Sequence, residues 1–233
     1  MRIGSSIILR NGYCYQSYQW KLFRPLGAIS NVLSFLDKYN IDEICITRPV
    51  RDNDSKQSFV EDLIKIKSSF SSSPISFGGG IRSKENIKLL KGSPIERLHL
   101  SDAFINKNMS VINSILNSYG KQALVATLPL KYENNDLFVF HGSTNNFELL
   151  KSNTINLIDD CADELMIIDV ENEGTNNCFN FKILDRLAFS NDRLIISGGI
   201  GPEVIQKAKK LGIGACIIDN RVLHCENYLK REI

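Results

Sequence analysis

The sequence has no closely spaced pair of cysteines. Its six (Cys14, Cys45, Cys161, Cys178, Cys216 and Cys225) are scattered along the chain. That excludes a C-x-x-C redox motif and a zinc site built from paired cysteines, so no metal is expected. Four of them lie in or beside apolar segments and read as small buried hydrophobes. No apolar run approaches the roughly 20 residues that span a bilayer. The opening MRIGSSIILRNG is apolar only over the length of one strand and lacks a cleavage pattern, so a cytoplasmic protein without membrane contact is the expectation. An excess of one charge is missing too. Lys+Arg number 28 against Asp+Glu 26, with the signs mixed, and no basic arm for nucleic acid occurs. The G-x-G-x-x-G dinucleotide fingerprint is absent, which argues against a nucleotide oxidoreductase, and no cofactor is expected.

What is present is ordinary globular composition, with 43% hydrophobic residues in 233, enough for one sizeable core. Strand-like and helix-like segments alternate along it. Strands are expected at Ile3–Leu9, Glu43–Thr47, Ile75–Phe77, Arg97–Leu100, Ala123–Leu128, Leu165–Asp169, Leu194–Ile196 and Ala215–Ile218. Between them, apolar residues at helical spacing, such as Ile29, Val32, Leu33 and Leu36, mark helices. An extra hairpin is expected around Asn134-Asn135, then helices at about 146–160, near 181–188, at 202–210 and at the C-terminus. Eight such units in one chain predict a single α/β domain over residues 1–233, a closed (β/α)₈ TIM barrel. The stretch PISFGGGI from Pro74 is echoed half a chain later by LIISGGI from Leu194, as a half-barrel duplication would leave it.

The two glycine turns are the clearest chemical signal. In such a barrel the loops after the strands gather on one face, where substrates bind. Glycines followed by a helix let backbone N–H groups approach an oxyanion, so two phosphates across the mouth would fit. The plainer reading, tight strand exits that only glycine allows, stays open.

Asn11-Gly12, Asp42-Glu43-Ile44, Gly78-Gly79-Gly80-Ile81-Arg82, Asp163-Glu164-Leu165, Glu173-Gly174-Thr175 and Ser197-Gly198-Gly199-Ile200-Gly201 occur in this order. Together they resemble the histidine-biosynthesis barrel family, and within it the HisF-like cyclase subunit of imidazole glycerol phosphate synthase. The resemblance implies a ribulose-phosphate-binding barrel holding a small substrate with a phosphate at each end. It implies cyclisation and cleavage of that substrate, a lyase step, with ammonia from a glutaminase docked on the N-terminal barrel face. By the same resemblance, Gly79, Gly80, Ser101, Gly174, Thr175, Gly198, Gly199 and Asn220 are the substrate- and phosphate-binding positions. The segment Lys21–Gly27 looks more like relatives that pair such a barrel with an amidotransferase in surface-polysaccharide biosynthesis.

Two features complicate that expectation. The family places catalytic Asp residues at the ends of strands one and five, whereas Ile8 and Leu128 are expected at those positions here. Neither can transfer a proton, so the standard cyclase mechanism is not expected. His99, Glu171 and Glu173 are the remaining candidates for acid–base work. His99 reads equally as a hydrogen-bonded core residue, and the two glutamates as members of a solvated loop. His141 and His224 are expected as surface or cap residues. The family's ammonia gate, by contrast, is matched in full by Arg2, Glu43, Arg97 and Glu164, with Glu96 at the partner interface. The same four residues also fit an ion-paired plug. Two functions therefore stay open: a divergent ammonia-using synthase subunit, and a non-catalytic phosphate-ligand-binding barrel that scaffolds or regulates a glutaminase.

Overall fold

The structure, a computed structural model, describes residues 1–49, 54–175 and 177–219. Eight parallel strands close on themselves: β1 (Arg2–Arg10), β4 (Glu43–Thr47), β5 (Ile75–Gly78), β6 (Ile95–Leu100), β7 (Leu124–Glu133), β10 (Glu164–Asp169), β11 (Leu194–Ser197) and β12 (Ala215–Ile218). Closure runs through β7 against β10 and β12 against β1, both parallel. The chain is thus an α/β protein with an eight-stranded (β/α)₈ barrel. The expected terminal helix lies outside the described residues.

Alternation along each strand divides the side chains between two environments. On the outer side Ile7 and Leu9 of β1, Ile44 and Ile46 of β4, and Ile75 and Phe77 of β5 join the main core. They pack there against α1 (Ile29–Leu36), α2 (Lys56–Lys67), α3 (Lys84–Leu90), α5 (Met109–Tyr119), α6 (Ser152–Cys161) and α7 (Pro202–Lys210). Each fully buried side chain of this kind stabilises the fold by about 1.5–3 kcal/mol. The inner side is a second, smaller cluster of Cys45, Val125, Met166, Ile168, Ile195, Ala215 and Ile217. Of the cysteines, Cys14, Cys45 and Cys216 are buried, Cys161 is half-buried and Cys178 is exposed, all as free thiols; Cys225 lies outside the described residues.

Each half of the barrel opens with the same addition. The first strand is followed by a hairpin, β2 (Tyr13–Tyr18) and β3 (Leu22–Ala28), and the fifth by β8 (Asp136–His141) and β9 (Asn146–Leu149). The first hairpin was not among the expected strands. The helix expected from about residue 146 begins only at Ser152, because Asn146–Leu149 pairs with β8, with Phe147 opposite Phe140. After β10 the expected helix is a 3-10 turn at Phe181–Arg186. A four-residue helix, α4 (Asp102–Ile105), follows β6.

The two glycine turns occupy equivalent places in the two halves. Gly79 (φ +98°) lies against the carbonyl of Arg48 just past β4, and Gly198 (φ +93°) against the carbonyl of Asp169 at the end of β10. A Cβ at either position would overlap that carbonyl oxygen inside van der Waals contact. Each glycine is therefore required by the backbone of the preceding strand exit. Gly79→Ala and Gly198→Ala should each lower stability by more than about 2 kcal/mol. Urea midpoints of the two variants check this, and a loss of only a few tenths would contradict it.

Candidate functional site

At the C-terminal ends of the strands lies a cavity of about 150 Å³. Its floor is formed by inward positions of the strands: Ile8 of β1, Thr47 of β4, His99 of β6, Thr127 and Pro129 of β7, and Ile168 of β10. Gly79, Gly80, Arg82 and Ser101 line its edge. Parity corrects one expectation here. Leu128 packs in the outer core, so Pro129 is the residue that the fifth strand presents to the mouth. The conclusion for chemistry is unchanged, since proline carries no proton to transfer.

The two hairpins roof this cavity. Trp20, in the turn of the first, meets Phe140 of the second edge-on at 5.6 Å between ring centroids. Gln19 and Trp20 are both left-handed (φ +53° and +56°), a strained conformation for side chains of this size. The strain is held by the loop after β10. Gln19 N donates to the Glu173 carbonyl at 3.0 Å, and both Trp20 N and Ser17 Oγ donate to Glu173 Oε2, at 3.2 and 3.0 Å. The second hairpin is tied to α4: Gly142 N donates to Asp102 Oδ1 at 3.0 Å, and His141 Nε2 pairs with Asn106 Oδ1 at 2.9 Å. His141 is thereby buried, and of its two expected places it takes the cap: its Nδ1 accepts from Thr144 N at 3.3 Å in the turn after β8; His224 lies outside the described residues.

The charge of Arg48 at the mouth is compensated within the protein. The buried Arg48, just past β4, donates to Asp62 at 2.6 Å and to Asp54 at 3.0 Å, and stacks on Phe59. Sequence reading passed over Arg48, though its place one residue past a barrel strand is a usable signal. The aromatic cluster at 13–20 reads from sequence either as a lid over the mouth or as packing around a long loop, and Trp20 of that cluster lies over the mouth. Thr127 and Phe140 give no such signal, because without the register, strand parity and hairpin direction are unfixed.

The sequence-expected residues divide between locations. His99, Ser101, Gly79 and Gly80 meet at the cavity. Gly174, Thr175, Gly198 and Gly199 do not line it among the described residues, and Asn220 lies outside them. Gly174 N donates to Asp219 at 2.7 Å, and Phe179 N donates to the Gly199 carbonyl, so the loop after β10 folds over the second glycine turn. Glu171 is exposed and Glu173 buried. Glu173 acts on the hairpin, as described above.

His99 sits in the barrel interior, its Nδ1 2.9 Å from Thr127 Oγ1 and its Nε2 3.9 Å from Cys45 Sγ. Burial pushes its pKa down to about 4, with Glu43 opposing and Arg97 reinforcing the shift. A neutral imidazole here offers one donor and one acceptor. Its stabilising effect is present above its ordinary value of 6.5 and is lost as pH falls through about 4. Glu173 moves the other way. Burial, then the nearby Asp219, pushes it up to about 7 against the Ser17 and Trp20 donors.

At the opposite pole, four side chains form a closed ring of alternating charge. Arg2 Nη2 donates to both Glu164 oxygens at 2.8 and 2.9 Å, Arg97 pairs with Glu164 and with Glu43 (3.2 Å), and Arg2 Nε lies 3.7 Å from Glu43. The two carboxylates are buried; Arg2 keeps 40% of its side chain exposed. Burial pulls the Arg97 pKa down, and Glu43 restores part of it. A cavity of about 330 Å³ opens onto this pole, lined by the ring, by Glu96 and by Ser76.

Two titrations follow. For His99, the imidazole resonances in an NMR titration should stay neutral down to about pH 5; a midpoint near 6.5 would show that it is not buried as described. For Glu173, the folded chain keeps a proton that the unfolded chain has lost between pH 4.5 and about 7. Its stabilising effect is present below 4.5 and lost as pH rises through about 7. Glu173→Gln should flatten the stability profile across that window by up to about 3 kcal/mol, as read from urea midpoints at its two ends. A profile with an unchanged slope would contradict the burial of this carboxyl.

Residues 2–228 match the family model described as histidine biosynthesis protein. Among curated proteins, the imidazole glycerol phosphate synthase subunit HisF of Dictyoglomus turgidum is 23% identical over 215 residues, covering 90% of this chain and 84% of that protein. A putative imidazole glycerol phosphate synthase subunit hisF2 of Campylobacter jejuni is 24% identical over 242 residues, covering 100% of this chain and 93% of the relative. Another hisF2, from Prochlorococcus marinus, is 28% identical over 182 residues, 76% of this chain and 69% of its own. With a matched span of nearly the whole barrel, the chain belongs to the histidine biosynthesis protein family and is a HisF-like barrel within it.

Proposed function

We propose that this barrel is the acceptor-side subunit of an ammonia-using synthase. A glutaminase docks on the pole bearing the Arg2–Glu43–Arg97–Glu164 ring, and a small phosphorylated substrate binds at the mouth with its phosphate at the Gly79–Arg82 turn. The observation that carries this reading is the ring itself. Four charges close around the axis of the barrel, and a cavity at that pole is lined by them and by Ser76. Three neutral or weakly polar groups, Cys45, His99 and Thr127, lie in contact between that pole and the mouth. None of these would hold an ammonium ion as a carboxylate would, so uncharged ammonia is the species that passes. The names of the relatives, each a synthase subunit, accord with an assembly of more than one chain.

The chemistry at the mouth departs from a two-carboxylate cyclisation, because Ile8 and Pro129 occupy the positions that would hold the acid and the base. A second reading draws on the same observation: a barrel that keeps the ring as an ion-paired plug, binds a phosphorylated ligand and regulates a glutaminase without catalysis.

One experiment tests the reading of the mouth and a second separates the two functions. With ammonium salt and the bisphosphorylated substrate of the histidine pathway, turnover should fall at least about 10²-fold below ordinary enzyme rates, since a missing acid or base costs roughly 10²–10⁴. A rate of about 1 s⁻¹ or more would overturn the reading of the mouth. For the other pole, a glutaminase from the same organism should bind, and Glu96→Lys should weaken it by up to a few kcal/mol in titration calorimetry. Glu164→Gln should reduce glutamine-dependent product while leaving ammonium-dependent product intact. No association, with ring variants showing only a lower Tm from unpaired buried charge, would favour the plug.

A further inference from the structure

The first hairpin has a hinge at its base and a tie at its tip. Pairing of β2 with β1 ends at Ile8 opposite Tyr15. Beyond that point, from Gln16 to Arg24, the two hairpin strands pair with each other. The ladder breaks at the junction, where Cys14 faces Gly27 and Tyr15 faces Pro25, so Leu26 is an extra residue. Gly27 has φ +129° and open space around it. A bulge beside an unconfined glycine lets the outer half turn relative to the base. The tip is held at its far end by the bonds to Glu173, and by Gln19 Nε2 donating to the Glu171 carbonyl at 2.7 Å. Left-handed strain at Gln19 and Trp20 works against this closed form.

The Glu173 carboxyl receives its donors in a particular way. Ser17 Oγ and Trp20 N both fall on Oε2. A carbonyl oxygen has two lone pairs, so Oε2 serves both while a proton sits on Oε1. The charged group facing this carboxyl from the barrel is Asp219, past β12, which accepts from Gly174 N at 2.7 Å. From the hairpin come the Ser17 hydroxyl and two backbone N–H groups, while Lys21 is exposed. On the loop itself Asp169 is engaged by Asn172 and Asn180, and Glu171 is exposed. No lysine or arginine pairs with Glu173 among the described residues. Ionisation of Glu173 therefore sets two like charges together in a buried place.

We propose that the hairpin β2–β3 is a proton-operated lid: with a proton on Glu173 its tip is latched to the loop after β10, and loss of that proton lets it swing out about the bulge at its base. Trp20, which lines the mouth cavity, leaves with it. The sign follows from where the proton is held more tightly. Burial and Asp219 raise the latched carboxyl to about 7, against 4.5 for a free one. Across that window the equilibrium moves toward release by up to about tenfold per pH unit, and it levels off above.

Amide exchange of the whole chain, without partner or substrate, tests this by NMR at pH values from about 5 to about 8, with intrinsic rates divided out. Protection of the Gln19 and Trp20 amides should stay well below that of β5 amides, as local opening requires. It should fall roughly 50–100-fold over this range and level off above about pH 7. Glu173→Gln keeps an acceptor oxygen for both donors and cannot ionise, so protection should become flat. Asp219→Asn removes the facing charge and should move the levelling-off point to lower pH; should Glu173→Gln fail to fold, that shift decides. Tip amides protected as strongly as β5, protection that does not fall with pH, an equal fall in Glu173→Gln, or a point unmoved by Asp219→Asn would overturn the proposal. Neither glutaminase nor turnover enters the measurement, so its failure leaves the proposed function standing, and failure of that function leaves the latch standing.

Discussion

Closing a parallel sheet into a barrel forces every second side chain of eight strands into a shared interior, where it must find its partner among the others. The interior meets this demand differently along its length. At one pole, charges are admitted and neutralised within a four-membered ring. Leaving any one of them out would strand a buried charge, at a cost of about 3–5 kcal/mol when fully desolvated. Midway, one imidazole and two small polar side chains satisfy one another without a net charge. At the mouth the inward positions turn apolar, with Ile8, Pro129 and Ile168. One chain thus carries a charged pole and an apolar one, and function follows from which molecule each can admit.

The mouth is completed by the two hairpins inserted after the first and fifth strands. They stand in equivalent places in the two halves, as the two glycine turns do, and they meet through one aromatic pair. Neither hairpin is held by the barrel alone. Glu173 fixes one and Asp102 with Asn106 the other, so the loops after the sixth and fourth strands set the height of the roof. Glu173 is poised between two tendencies, burial favouring its proton and two donors favouring its charge. The geometry of Trp20 is coupled to that balance.

The alternation of strands and helices was legible in the sequence because apolar periodicity carries it directly, and the ring residues were legible because family motifs fix their register. The first hairpin was not. Its residues, from Tyr13 to Ala28, are polar and aromatic, and Pro25 interrupts any strand pattern. Leu128 was placed at the mouth because one residue of register separates it from Pro129, and a slip of one exchanges inside for outside. From sequence the glycine turns read either as phosphate cradles or as tight strand exits that only glycine allows. At Gly79 and Gly198 the need for glycine already follows from the carbonyls of Arg48 and Asp169, a contact between strands distant in sequence. Sequence leaves His99 between two roles, and only its depth and its Thr127 partner, which spacing does not reveal, favour the neutral imidazole.

The proposed division of the molecule into two poles with different partners can be tested in one measurement. Hydrogen–deuterium exchange would be followed on the chain alone and with the glutaminase of the same organism added. Slowed exchange should appear in the segments carrying Arg2, Glu43, Glu96 and Glu164, with the hairpins at 13–28 and 136–149 unchanged. Protection confined to the hairpins, with the ring-bearing segments unaffected, would contradict the assignment of that pole to the partner.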